Sequence, residues 1–181
     1  MEKEKLNWIE NHTTEIIYLN KNRNNPELCK MYPNEIKQID SMLVELNKEF
    51  KQRIKDFSQY LDNSEEFREH SHIINKSYNH QDKNNICYMK VFEIRKHQLK
   101  IDVVTHMSGF SINFRTLEKC TDPMDVKARF ISKLKNNNIE IIDNPKNPYT
   151  DIYHITASEW NSEVEITEVA MRFIEILKIF K

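Results

Sequence analysis

The stretch ICYMKVFEIRKHQLKIDVVTHMSGFSINFR, residues 86–115, decides the class of fold. Residues 86–94 are apolar-rich and broken only by Lys90 and Glu93. Leu99, Ile101 and Val103 then alternate with Lys100 and Asp102, and Phe110, Ile112 and Phe114 alternate with Ser111, Asn113 and Arg115. Successive side chains on a strand point to opposite faces, so a period of two gives each segment one apolar face. The polar run Arg95–Gln98 and the Ser108-Gly109 pair separate the segments at hairpin spacing. The pattern predicts a three-stranded antiparallel meander with one buried face. Gly109 is the only glycine in the chain, and it stands where the second turn favours a positive φ.

Working toward the C-terminus, Thr121 or Asp122 can cap a helix that begins at Pro123, with Val126, Phe130, Ile131 and Leu134 on its apolar face and Asn136-Asn137-Asn138 at its end. A fourth strand is expected at 139–142, then a turn-rich run over Asp143–Pro148, then a fifth strand at about 151–157 with Ile152 and Ile155 as its apolar residues. A final helix, roughly 165–180, carries Ile166, Val169, Ala170, Phe173, Ile174, Leu177 and Phe180 and should dock on the sheet. Trp160 lies between acidic residues just before it, either as an anchor for a protein partner or as a cover for the sheet edge. Glu163 and Glu165 complement the positive end of that helix dipole.

Toward the N-terminus the period changes to that of helices. Residues 2–22 read as one helix with Leu6, Ile9, Thr13, Ile16, Ile17 and Leu19 on a loose apolar face, bordered by Trp8 and Tyr18 and broken before Pro26. From Pro33, Ile36, Ile39, Leu43, Leu46, Phe50, Arg53, Phe57 and Tyr60 recur at steps of three and four, an a/d stripe interrupted only by Arg53. A helix from Pro33 to Leu61 would be about 43 Å long at 1.5 Å per residue. Ile36, Ile39, Leu43, Leu46, Phe50 and Phe57 form a seam whose partner is either the first helix folded back or the same helix of a second chain. The whole is an α+β protein in three parts: a helical arm or hairpin (1–62) that can dimerise, a polar linker (63–85), and an α+β domain (86–181) whose mostly antiparallel sheet, the meander plus two strands, carries two helices.

Composition excludes much. One glycine cannot supply a Walker A loop or a G-x-G-x-x-G turn, and no G-x-S-x-G elbow is possible. Cys29, Cys87 and Cys120 are widely spaced and odd in number, which reads as reduced structural thiols. No apolar run approaches the roughly 20 residues needed to cross a bilayer, and the charged start MEKEKLNWIENH has no signal-like apolar segment. The expectation is a cytoplasmic protein without membrane contact or cofactor.

The chemistry-bearing candidates are few. His70, His72 and His80 share the polar stretch FREHSHIINKSYNH and would be the ligands of a metal site, but no HExxH-type arrangement completes them. Glu93 and Asp102 fall near each other across a hairpin and could serve a metal-dependent nuclease, although Arg95 stands where that motif needs a lysine. Cys87 or Cys120 could meet His106 or His154 in space. Charge is more informative: between Lys90 and Lys135 stand ten basic and five acidic side chains, a balance of +5 in a chain of net charge −1, and residues 136–181 carry −4. Lys90, Arg95, Lys96, Lys100, Arg115, Lys119, Lys127, Arg129 and Lys133 form the expected footprint for nucleic acid or for an acidic partner. The sequence therefore reads as a non-enzymatic binding or regulatory protein, acting through protein or nucleic-acid contacts. Its richness in Lys, Asn and Ile suggests an AT-rich genome, and by association alone a phage or mobile-element factor that modulates host machinery is expected; a metal-dependent nuclease is the alternative.

Overall fold

The structure, a computed structural model, describes residues 3–142, 150–156 and 162–180. Its helices are α1 (Lys3–Asn11), α2 (Thr13–Asn22), α3 (Pro26–Met31), α4 (Pro33–Asn63), α5 (Glu65–His70), α6 (Pro123–Asn136) and α7 (Ser162–Lys178). Its strands are β1 (Lys76–Asp82), β2 (Cys87–Ile94), β3 (Leu99–His106), β4 (Gly109–Thr116) and β5 (Thr150–Thr156). The strands form one antiparallel sheet in the order β1-β2-β3-β4-β5. The α+β class and the meander stand as the alternation implied, and no helix among the described residues is long and apolar enough to cross a membrane.

Register assigns the two faces. Ile94, Phe92, Lys90 and Tyr88 pair with Leu99, Ile101, Val103 and Thr105, and these with Thr116, Phe114, Ile112 and Phe110. Directly paired residues share a face, so this row faces the helices. Phe57 of α4 meets Phe92, Phe110 and Phe173 of α7 edge-on, and Phe130 of α6 meets Phe114. One hydrophobic cluster thus runs from Ile9 and Ile16 through α4 and the sheet to Phe180. The opposite face carries the polar row Tyr78, Glu93, Lys100, Asp102, Ser111 and Arg115 by the same register.

Several elements differ from the pattern reading, each for a local reason. The first helix is two, broken at His12, where the Thr13 hydroxyl donates to the carbonyls of Ile9 and Glu10 and so competes with the helical ladder. Pro26 opens α3, with the Asn25 side chain accepting from Glu27 N as its cap. The stretch 63–85, read as a polar linker, holds α5 and the edge strand β1. That strand, KSYNHQD, pairs with β2 along its whole length. It shows no apolar period because an edge strand with polar residues resists further pairing.

The strand expected at 139–142 is absent apart from a single bridge at Ile142. Asn138 ends α6 at φ 57°, with Ile139 N donating back to Leu134 O, and Ile139 and Ile141 pack on the core without a ladder. In β5 a one-residue register shift opposite Ile112/Asn113 brings Ile152 and Ile155, three apart, both into the core. Gly109 sits at φ +150°, and a Cβ there would lie 1.9 Å from the carbonyl oxygen of Ile155, so a side chain is excluded by β5 as well as by the turn. The turn-rich run over 143–148, Trp160 and the side chain of Leu6 lie outside the described residues.

Candidate nucleic-acid interface

The structure divides the basic footprint. Lys100 and Arg115 lie on the polar face of the sheet and are neutralised there. Lys100, 6% exposed, has its Nζ 3.5 Å from Glu118 Oε1, 3.8 Å from Glu93 Oε1 and 3.4 Å from the Tyr78 hydroxyl. Arg115 Nε donates to Asp102 Oδ2 at 2.6 Å. Burial lifts the Asp102 carboxyl above its ordinary value, and the Arg115 hydrogen bond and charge partly offset this. Lys90 lies half-buried on the helix-bearing face by register. Lys119 is exposed on the β4–α6 connection, and Lys127 is half-buried on α6.

Glu93 and Asp102 do share the polar face, one register step apart diagonally, because Glu93 pairs with Lys100 and Val91 with Asp102. Lys100 stands between them and acts on both carboxylates. His70 and His72 end α5 and the turn after it, each with Nδ1 3.0 Å from a local carbonyl, that of Glu66 or Glu69, and His80 is exposed on β1. Among the described residues no group of three or more His, Cys, Asp or Glu could hold a metal ion.

Cys87 and His106 are direct partners across β2 and β3. Burial, with Asp82 and Asp102 nearby, pushes the Cys87 thiol up to about 11. Burial and the stacked His154, 5.6 Å away between ring centroids, hold His106 down to about 4. At neutral pH this gives a thiol beside a neutral imidazole, without the thiolate that nucleophilic chemistry needs.

The remaining cations converge. Arg95–His97 form one turn of 3-10 helix between β2 and β3, closed by Gln98 in the left-handed region at φ 57°. Opposite lies α6, capped by the Asp122 side chain accepting from Asp125 N. On α6 Val126, Phe130 and Leu134 are buried, while Arg129 and Lys133, one turn apart, lie beside that row. Phe130 stacks on Phe180 at 5.2 Å, and the His97 ring lies 4.8 Å from Phe180. Between these elements is a cleft of about 150 Å³, lined by Lys96, His97, Gln98, Arg129 and Lys133 over Leu99, Val126, Phe130 and Phe180.

No carboxylate is among these lining residues; the nearest compensation is Asp125, whose Oδ2 lies 2.8 Å from Arg129. His97 registers the field: burial first, then Lys133 and Lys96, with Arg129 adding, hold it below its ordinary value, against a hydrogen bond with the Phe180 backbone. Sequence spacing could not show that residues 96 and 129–133 meet. The only local signal was the unbroken basic triplet Arg95-Lys96-His97.

At the other end of the molecule, a groove of about 510 Å³ between α1–α2 and the first half of α4 is lined by Trp8, Ile16, Leu19, Ile39 and Met42 among others. The heptad residues themselves are spent within the chain: Leu46, Phe50 and Phe57 are fully buried, Ile39 and Leu43 nearly so, and Ile36 is half-buried. No protein-family model matches the chain, and no curated protein or solved structure matches it.

Proposed function

We propose that the protein binds nucleic acid without turning it over, gripping the phosphate backbone at the cleft between the β2–β3 turn and α6. One observation carries this reading: Lys96, Arg129 and Lys133 surround His97 in a recess with no carboxylate side chain among its described lining residues. With Asp125 paired to Arg129 the site keeps an excess of positive charge, and such an excess in a concave, partly apolar site attracts polyanions more strongly than the same charges spread over an open surface. Net charge −1 does not oppose this, because the +5 balance of residues 90–135 is local and the −4 balance lies in residues 136–181.

Fluorescence anisotropy with a labelled single-stranded oligonucleotide, over a range of salt, tests it. Affinity should fall steeply with salt, and Lys96→Glu with Arg129→Glu and Lys133→Glu should flatten the logarithmic slope by up to about 2, at about 0.7 per lost phosphate contact on a single strand. Lys48→Glu, an exposed charge on α4, serves as the control and should leave the slope within about one contact of the parent. Binding that ignores both salt and the triple variant rejects the reading.

A second reading, a homodimer through the helical end, is favoured by the exposed Trp8, Tyr18, Met31, Tyr32 and Val44, which gather in the first 44 residues. The contact would use the Trp8 groove and the exposed Val44 of α4, since the heptad stripe itself is covered within the chain. Light scattering after size exclusion decides it: a dimer that Trp8→Glu with Met42→Glu returns to monomer supports it, and a monomer at all concentrations removes it.

A further inference from the structure

We infer that the cleft between the β2–β3 turn and α6 takes a terminal phosphate monoester, the 5′-phosphate end of a single-stranded nucleic acid, rather than an internal phosphodiester. This rests on the nucleic-acid reading above and narrows it. Three features of the cleft support it.

Size is the first. At about 150 Å³ the cleft is well below the roughly 300–1,000 Å³ of pockets that swallow whole small molecules. That volume is on the scale of a phosphate group rather than of a whole nucleotide.

Charge is the second. Lys96, Arg129 and Lys133 bring three positive charges, and Asp125 on Arg129 removes one. The resulting +2 matches a phosphate monoester, which carries about −1.5 to −2 near neutral pH with three strong acceptor oxygens. An internal diester brings a single negative charge and would leave the recess half-compensated.

Shape is the third. The cations stand on two separate elements, the 95–98 turn and α6, above the apolar residues Leu99, Val126, Phe130 and Phe180. A monoester offers three free oxygens that both elements can approach at once, whereas a diester offers two. His97 adds a ring nitrogen beside the cations. Arg129 retains guanidinium N–H groups beyond the one toward Asp125, in a fork suited to phosphate oxygens.

The chain attached to that phosphate is read as nucleic acid because further cations continue at the same end of the sheet: the exposed Lys119 on the next connection, and Arg95 on the same turn, 63% exposed at its side chain with Glu93 Oε2 3.5 Å away. A single phosphorylated side chain on a peptide would leave Lys119 without a phosphate to meet.

Anisotropy competition on the full chain, using one short single-stranded sequence with either a 5′-phosphate or a 5′-hydroxyl, tests the inference. The 5′-phosphorylated strand should bind about tenfold or more tightly, as expected for two or more charge-assisted hydrogen bonds. Arg129→Gln with Lys133→Gln, both at exposed positions, should erase that preference while leaving thermal unfolding unchanged. Equal affinity for both strands, still lost in the double variant, overturns terminal recognition and keeps backbone binding. Absence of binding to either strand overturns both readings. Tight binding of a phosphoserine peptide with neither strand competing overturns the inference in favour of a phosphopeptide.

Discussion

Arg53 interrupts the apolar stripe of α4, and its place in the core depends on a residue far along the chain. Its Nη1 lies 2.9 Å from Glu165 Oε2 on α7, with Glu49 3.2 Å from its Nε; Arg53 is 5% exposed and Glu165 3%. Removing one member of a buried pair strands the other, so Arg53→Met should destabilise the fold by about 3–5 kcal/mol, and adding Glu165→Leu should restore most of that loss. Equilibrium denaturation of the single and double variants measures it. His106 makes a pH-dependent contribution. Unfolded, it takes a proton near 6.5; folded, among His154, Ser108, Ser111 and Cys87, it stays neutral down to about 4. Between these values the unfolded chain holds more protons, so stability falls as the pH falls through that window. At about 1.4 kcal/mol per unit the loss is on the order of 3 kcal/mol, and His106→Gln should flatten it in denaturant titrations at about pH 7 and about pH 4.5. Cys87 should resist thiol reagents at mildly alkaline pH until the chain unfolds, while the half-buried Cys29 and Cys120 react in the native state. Rapid labelling of all three cysteines would contradict that environment.

At the scale of elements, α4 is the scaffold: 31 residues, about 46 Å at 1.5 Å per residue. Its first half faces α2 and α3 and its second half faces the sheet and α7. Its heptad period was legible because every third or fourth residue meets a neighbour, whichever neighbour that is. The identity of the neighbour was not legible, and it proved to be several different elements in turn. Leu46→Ala should therefore cost about 2–5 kcal/mol of stability, the range for emptying a fully buried leucine site. Leu43→Asp with Leu46→Asp should lose helical circular dichroism rather than split a dimer. The opposite case is β1, whose polar sequence hides a strand. Its order comes from β2, from Gln81 donating to Asn47 of α4 at 2.8 Å, and from the Asp82 side chain accepting from Asn84 and Asn85 in the following turn.

For the molecule as a whole, one cluster links the helical part to the sheet: Ile9 and Ile16 belong to the same core as Phe92 and Phe173. Asn20 on α2 donates to Lys83 O in the β1–β2 turn, and Lys178 on α7 pairs with Glu66 on α5. Such shared burial predicts a single cooperative transition, with helical circular dichroism and tryptophan fluorescence coincident in denaturant; two separated transitions would show that the helical arm folds by itself. The sequence alone determined what depends on neighbours in the chain: the meander, the long helix, the final helix and the turn at Gly109, all set by local periodicity and backbone sterics. It also located the excess positive charge between residues 90 and 135. Only the tertiary structure decided which of those charges are spent. Lys100 and Arg115 meet carboxylates on a sheet face, while Lys96 meets Arg129 and Lys133 around His97. Electrostatic compensation depends on distance in space, and residues on separate strands and helices acquire that distance only when the chain folds.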